Sequence, residues 1–270
     1  MAPSPIITLT TDFGQNDHFV GVMKGVILEI LPDARIVDIS HAVQAFDVLD
    51  GALTISQAYP YFPDGTVHLV IVDPGVGSAR RPVLVLGERH IFIAPDNGVL
   101  SLVYEREQRL SVRHITSEHY FLQPLSNTFH ARDIFAPVAA YAAKGVDPGR
   151  FGEEITDYVR FAAPRPKAAD EHTLRGVVLK VDRFGNLITN ITPQDVPKLF
   201  ENGASGFSIL VAGKGQINRV CGNYAEGGPG EVFGILGSMG YLEIAAYRGS
   251  ASQLLGAGKG SEVNIVMGGH

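Results

Sequence analysis

The stretch IVDPGVGSARR, residues 71–81, ends an apolar run on Asp73, packs Gly75 and Gly77 into a loop and closes on Arg80 and Arg81. An acid and a guanidinium flanking a glycine-rich turn suit a phosphate cradle, an ion-paired turn or part of an active site. The dinucleotide fingerprint needs a third glycine where Arg80 stands, because that glycine lets the following helix pack closely on its strand. No Gly-Lys-Ser/Thr follows, which excludes a P-loop. The remaining readings are an Asp73–Arg80 salt bridge across the turn and a pair of charges placed to handle a ligand. Position favours the second, since ligands of open α/β sheets bind beyond the carboxyl ends of strands, and Asp73 closes a strand-like run.

Asp12, in TLTTDFGQND (8–17), closes another such run. Its carboxylate suits the two hydrogen bonds of a ribose diol, and equally a turn or helix cap. Asp17 lies just ahead of a helical run and suits either its cap or a ligand ammonium group. His130, in NTFHARDIFAP (127–137), precedes a helix; a lone histidine is commonly structural, and Arg132 and Asp133 read as a charge pair at the helix start. VDRFGNLITNI (181–191) sets Asp182, Phe184 and Asn186 around a glycine turn. An aromatic ring beside an amide suits a heteroaromatic base, by stacking and edge hydrogen bonds; the plain alternative is a hairpin with a buried Phe. Ser238 sits between glycines in ILGSMGYLEI (235–244) but lacks the G-x-S-x-G spacing of a nucleophile elbow. PDNG (95–98) reads as a turn on backbone grounds alone.

Metal-ligand spacing is absent: there is no H-E-x-x-H, Cys221 is the only cysteine, and His114 and His119 do not share a helical face. No catalytic metal is expected. Cys221 reads as a small core residue, and a single cysteine forms no intrachain disulfide, which suits a reducing cytoplasm. The formal charge of −6 argues against a nucleic-acid-binding surface, which needs clustered Lys and Arg. No apolar run is long enough to span a bilayer, and the opening MAPSPIITLTTDFG lacks the basic and apolar regions of a signal peptide. The chain is therefore expected to be cytoplasmic, with no membrane partner.

These residues need elements to hold them. IITLT (6–10), RIVDIS (35–40) and VHLVIVD (67–73) read as strands, the last buried on both faces. HFVGVMKGVILEIL (18–31) and DVLDGALTISQAY (47–59) read as helices, the second capped by Asp47. This βαβαβ order predicts an α/β layer, a central sheet flanked by helices, over residues 1–160. ARDIFAPVAAYAAKG (131–145) adds a helix that Pro137 must kink or begin anew. FAAPRPKAADEH (161–172) reads as a linker. From 173 to 270, short β-like runs between glycine-rich breaks predict a small all-β barrel or sandwich.

Taken together, TTDFG, VDPGVGSARR, TFHARDIFAP, DRFGNLITNI and GSMGYLEIA resemble, in order along nearly the whole chain, the S-adenosylmethionine hydroxide adenosyltransferases. That family is homologous to the fluorinating and chlorinating enzymes that consume S-adenosylmethionine. The resemblance implies an α/β domain followed by a β-barrel, and a homotrimer with sites at subunit interfaces. It implies hydrolysis of S-adenosyl-L-methionine to adenosine and L-methionine by in-line attack of water or hydroxide on ribose C5′, with no cofactor. Asp73, Arg80 and His130 would be the catalytic trio. Asp12 would hold the ribose hydroxyls and Asp17 the methionine ammonium. Asp182 and Ser238 would bind the methionine part, Asn186 the nucleoside, and Phe184 would stack on adenine. Tyr224, in GNYAEG, would supply the opposite ring. In the halogenating relatives the Asp73 position carries Tyr, and the fluorinating ones have a serine where this chain has Ala131; both departures favour water over halide. In the resulting expectation Arg80 stabilises hydroxide while Asp73 and His130 orient it and take its proton, neutral His130 being the immediate acceptor. The alternatives are a nucleoside or S-adenosylmethionine sensor without turnover, a chloride-using halogenase of the same fold, and a metal-dependent hydrolase.

Overall fold

A computed structural model describes residues 4–201 and 205–268. The chain divides into two compact units, 1–162 and 163–270.

The first unit begins with β1 (Ile6–Thr11), α1 (Phe19–Ile30), β2 (Arg35–Ser40), α2 (Val48–Ala58) and β3 (Val67–Ile71). It continues through β4 (Pro82–Leu86), β5 (Ile91–Pro95), α3 (Ser101–Arg106), β6 (Ser111–His114), α4 (Ala136–Ala143) and β7 (Glu154–Ile155). These strands form one sheet in the order β2-β1-β3-β5-β4-β6-β7. β2, β1, β3 and β5 run parallel, while β4 is antiparallel to both β5 and β6. The sheet is thus mixed. The β4–β5 connection is a tight hairpin closed by Gly87 N–H donating to the His90 carbonyl at 2.9 Å. Every residue of β3 is buried, as its unbroken apolar run requires. Alternation sends Leu69 and Ile71 to one face, where they meet Val20, Met23 and Ile27 of α1 and Val138 and Ala139 of α4. Val70 and Val72 point to the other, against Ile55 of α2 and Val103 of α3.

Asp47 caps α2, its carboxylate accepting from Asp50 N–H. Asp17 does not cap α1: the N-cap is His18, with no side-chain cap bond, and Asp17 lies exposed just outside. Farther along, residues Ala131–Phe135 wind as a π-helical turn before α4 starts at Ala136. Pro137 falls in the first turn of α4, where a missing N–H costs nothing.

The second unit comprises β8 (Lys167–Ala168), β9 (Thr173–Val181), β10 (Leu187–Thr189), β11 (Phe207–Val211), β12 (Lys214–Ile217), β13 (Val220–Cys221), β14 (Val232–Leu236), β15 (Leu242–Ala246), α5 (Ala251–Leu255) and β16 (Glu262–Met267). Part of the stretch expected to be a linker therefore joins a sheet, since β8 pairs with β9. The main path runs β12-β11-β16-β9-β10-β15-β14-β13, a curled half-barrel with one short helix. The long strand β9 carries the curl: Thr173–Val177 pair with β16, while Val178–Val181 pair with β10. Cys221 is buried with Phe233 and Ile235, a core residue. No helix among the described residues is long and apolar enough to cross a membrane.

Candidate active site

The carboxyl ends of β1 and β3 lie side by side, with Thr11 in register with Ile71. Asp12 and Asp73 follow those ends. Behind Asp73 the chain turns tightly, Ser78 Oγ donating to the Gly75 carbonyl at 2.6 Å. Gly77 has φ +75°, and a Cβ there would stand 2.2 Å from the Asn127 carbonyl oxygen. Only glycine lets this loop press on the segment that leads into His130. At Gly75 an added Cβ would only touch Ser78 Oγ at 3.3 Å and Arg80 Cγ at 3.4 Å, so the constraint on the loop falls on Gly77. Gly77 thus seats the loop against the segment that leads to His130.

Arg80 is gripped on two edges. Its Nε donates to Asp73 Oδ1 and Oδ2 at 3.0 and 2.9 Å, and Nη2 lies 2.6 Å from Oδ2. Nη2 also lies 2.9 Å from His130 Nδ1. The Phe135 ring backs the guanidinium, its centre 5.1 Å from Cζ. The Arg80 and Asp73 side chains are 8% and 6% exposed, so solvent screens their attraction little. Nη1 has no hydrogen-bond partner among the described residues, leaving two N–H groups of a fixed, buried cation to meet an anion.

This geometry speaks against His130 as the proton acceptor. Arginine only donates, so Nδ1 must accept, and the imidazole proton then sits on Nε2. The remaining ring nitrogen, Nε2, is therefore a donor. Burial, reinforced by the Arg80 charge, lowers the His130 pKa from its ordinary value. Because the folded value is lowered, the ring stays neutral as pH falls through 6.5 and charges only below it. An ¹⁵N NMR titration is expected to show His130 neutral, protonated on Nε2, with a midpoint below 6.5; a higher midpoint or an Nδ1–H tautomer would contradict the arrangement.

Asp12 Oδ2 accepts from Phe46 N–H at 2.9 Å. Burial raises the Asp12 pKa, and the nearby Asp73 charge adds to this. Phe46 is held at φ +65° and its ring is 74% exposed. A left-handed aromatic is costly, and such strain collects at ligand sites. Arg132 and Asp133 do form the charge pair expected of them, at 2.5 Å.

In the second unit one cavity of about 720 Å³ is lined by Asp182, Phe184, Asn186, Tyr224 and Ser238 together, with Lys180, Glu243 and Arg248. Phe184 is 77% exposed, which rules out the buried-Phe hairpin. Asp182 braces its own turn: Oδ1 accepts from Phe184 and Asn186 N–H, and Oδ2 from Asn186 Nδ2. That fixes the Asn186 amide with its oxygen turned away from Asp182. Two exposed rings that line one cavity with these polar groups suit a flat, polar-edged ligand.

The chain matches the SAM hydroxide adenosyltransferase N-terminal domain over residues 7–152 and the corresponding C-terminal domain over 176–264. The chain belongs to the SAM hydroxide adenosyltransferase family. It is 36% identical to a Thermus thermophilus (R)-S-adenosyl-L-methionine hydrolase, covering 95% of this chain and 97% of the relative. It is 30% identical to a fluorinase from Actinoplanes sp., covering 90% and 91%. A crystal structure of an uncharacterized conserved protein from Thermotoga maritima superposes with TM-score 0.89 at 37% identity, covering 96% of this chain and 99% of that one.

Within this adenosyltransferase chain the structure also enlists residues that the sequence left as scaffolding. PDNG is more than a turn. Asn97 Nδ2 donates to the Val72 carbonyl at 2.8 Å, buttressing the strand end before Asp73. Asp96, its side chain 2% exposed, pairs with Arg81 at 2.8 Å and so anchors the far end of the Asp73–Arg80 loop. The available signal was a carboxylate and an amide abutting an apolar strand, where polar groups stay buried only with partners.

Proposed function

We propose that this chain hydrolyses S-adenosyl-L-methionine to adenosine and L-methionine. The observation that carries the reading is the buried Asp73–Arg80–His130 cluster with its free Nη1 edge, in a chain similar over nearly its whole length to proteins named for this activity. Water is a weak nucleophile, with a pKa of about 15.7. A fixed guanidinium favours its ionised form, and a pre-aimed charge in a dry site is among the larger catalytic effects.

In the step proposed, hydroxide held at Arg80 Nη1 attacks C5′ in line with the sulfonium. The C5′–O bond forms, the C5′–S bond breaks, and its electron pair stays on sulfur as the neutral thioether of methionine. The proton of the original water passes to solvent before attack, so each turnover releases one H⁺, and the sulfur needs no acid because it leaves as a neutral thioether. Asp73 fixes the guanidinium plane, and His130 presents Nε2–H to the nucleophile oxygen. Asp12 binds the ribose hydroxyls and Asp17 the methionine ammonium. Asp182 and Ser238 hold the methionine part, Asn186 meets the base edge, and Phe184 and Tyr224 sandwich the adenine. Ala131 offers a halide no hydroxyl, which favours hydrolysis over halogenation. The assembly proposed is a homotrimer with sites at subunit interfaces, and its place the cytoplasm.

The relatives' names carry an (R) descriptor beside L-methionine, so the descriptor falls on sulfur, and we assign that epimer to this chain too. Incubating purified protein with each sulfonium epimer, with EDTA present, is expected to release adenosine and methionine one-to-one from the (R) form. Bound but intact substrate would turn the reading to a sensor, and loss of activity with EDTA to a metal-dependent hydrolase.

A further inference from the structure

β15, LEIAA, is buried at every position, and Glu243 is its one charged residue. Leu242 and Ile244 point into the core of the half-barrel. Glu243 instead lines the cavity that holds Phe184 and Tyr224. A carboxylate in a buried strand stays there only where something uses its oxygens. Here two loops do. Tyr224 Oη donates to Glu243 Oε2 at 2.9 Å. On the other side, a Cβ on Gly237 would stand 1.9 Å from Oε1, so the carboxylate packs directly against the backbone that precedes Ser238.

The rest of the Tyr224 loop is tied down by its backbone. Asn223 caps Ala225 N–H, Glu226 accepts from Gly222 N–H, and Arg219 donates to the Glu226 carbonyl. None of these bonds touches the Tyr224 ring, which is 46% exposed. Its hydroxyl bond to Glu243 is what fixes where the ring stands. Burial and the Glu243 contact push the phenol pKa up to about 12, so the proton stays on Tyr224 and Glu243 accepts.

The geometry points to Glu243 as a positioning residue for the nucleoside: it holds the Tyr224 ring at stacking distance from the base and sets the Gly237–Ser238 turn beside it. This rests on the reading of the cavity as the nucleoside site. Glu243 acts through Tyr224 and takes no part in the bond-breaking step, so its loss falls on binding and leaves kcat nearly alone.

The test is calorimetric binding of adenosine to the full chain, with kcat and KM for S-adenosylmethionine and thermal melting on the same variants. Glu243→Ala and Tyr224→Phe are each expected to weaken adenosine binding about tenfold, in line with losing one charge-assisted hydrogen bond. The double variant is expected to be no weaker than either, since both break the same link. Glu243→Gln, which keeps an acceptor oxygen, is expected to recover most of the loss. Gly237→Ala, which must displace the carboxylate, is expected to weaken binding as Glu243→Ala does. Tyr224→Phe removes only a hydroxyl, so it decides the matter even if Glu243→Ala fails to fold. Wild-type affinity in Tyr224→Phe, multiplying losses in the double variant, or no recovery with Gln would overturn the role of Glu243. The reading of the cavity is judged separately by Phe184→Ala: if that variant binds adenosine like the wild type, the cavity is not the nucleoside site and the inference falls with it.

Discussion

Arg80→Lys is expected to lower kcat by about 10²–10³-fold, the cost of removing a pre-aimed donor from an oxyanion site, while substrate affinity changes only a few-fold. Arg80 does three things at once: Nε and Nη2 clamp Asp73 through three contacts, Nη2 also meets His130 Nδ1, and Nη1 stays free. Lysine has three donors on one nitrogen and no planar fork. It could keep a point charge near Asp73 but could not also hold His130 and leave a second, fixed nitrogen for the nucleophile. The Phe135 ring that backs the guanidinium would lose its flat partner. Because none of these contacts is to the base or the methionine part, the loss should fall on turnover. Single-turnover rates and substrate dissociation constants separate the two. A lysine variant with near-normal turnover would remove Arg80 from the mechanism.

Asp73→Asn is expected to have a comparable effect on turnover and, unlike Arg80→Lys, a large one on stability. The amide keeps one acceptor oxygen but turns an NH₂ toward the guanidinium, leaving a cation that is 8% exposed without its counter-charge. Stripping one partner from a buried ion pair costs about 3–5 kcal/mol, and the retained oxygen should bring this variant to the lower end. With the clamp gone, Arg80 loses its plane and Nη1 no longer points at one place. The Asp73→Asn/Arg80→Lys double variant should then be little slower than either single one, as expected when residues act as a unit. Thermal melts and steady-state rates on the same preparations check both parts. An Asn variant as stable and active as the wild type would show the Asp73–Arg80 pair to be ornamental.

The trio was legible because each member stands at a grammatical boundary of the sequence. Asp73 ends an apolar run, Arg80 ends a glycine loop and His130 opens a helix. In an α/β layer such boundaries collect at one edge of the sheet. The cavity residues were legible from an aromatic and an amide around Gly185. What escaped depends on the partner found across the fold. Which His130 nitrogen carries the proton is decided by Arg80, fifty positions away in the chain. Asp96 and Asn97 looked like turn residues because their work is done on Val72 and Arg81. Phe46 gives no hint in sequence of its left-handed backbone or of its bond to Asp12. Glu243 was hidden inside an apolar run, where its charge was the signal. The alternation of strand and helix near the N-terminus also drew attention to parallel pairing, while the β4–β5 hairpin makes the sheet mixed.

The central claim is that this chain sends an oxygen from water to C5′ of its substrate. It is tested most directly by incubating the protein with (R)-S-adenosyl-L-methionine in ¹⁸O-water and weighing the nucleoside released. The account predicts adenosine with one ¹⁸O in its 5′-hydroxyl, formed together with unlabelled methionine. Adenosine without label, a 5′-halogenated nucleoside in the presence of halide, or substrate that returns intact would contradict it.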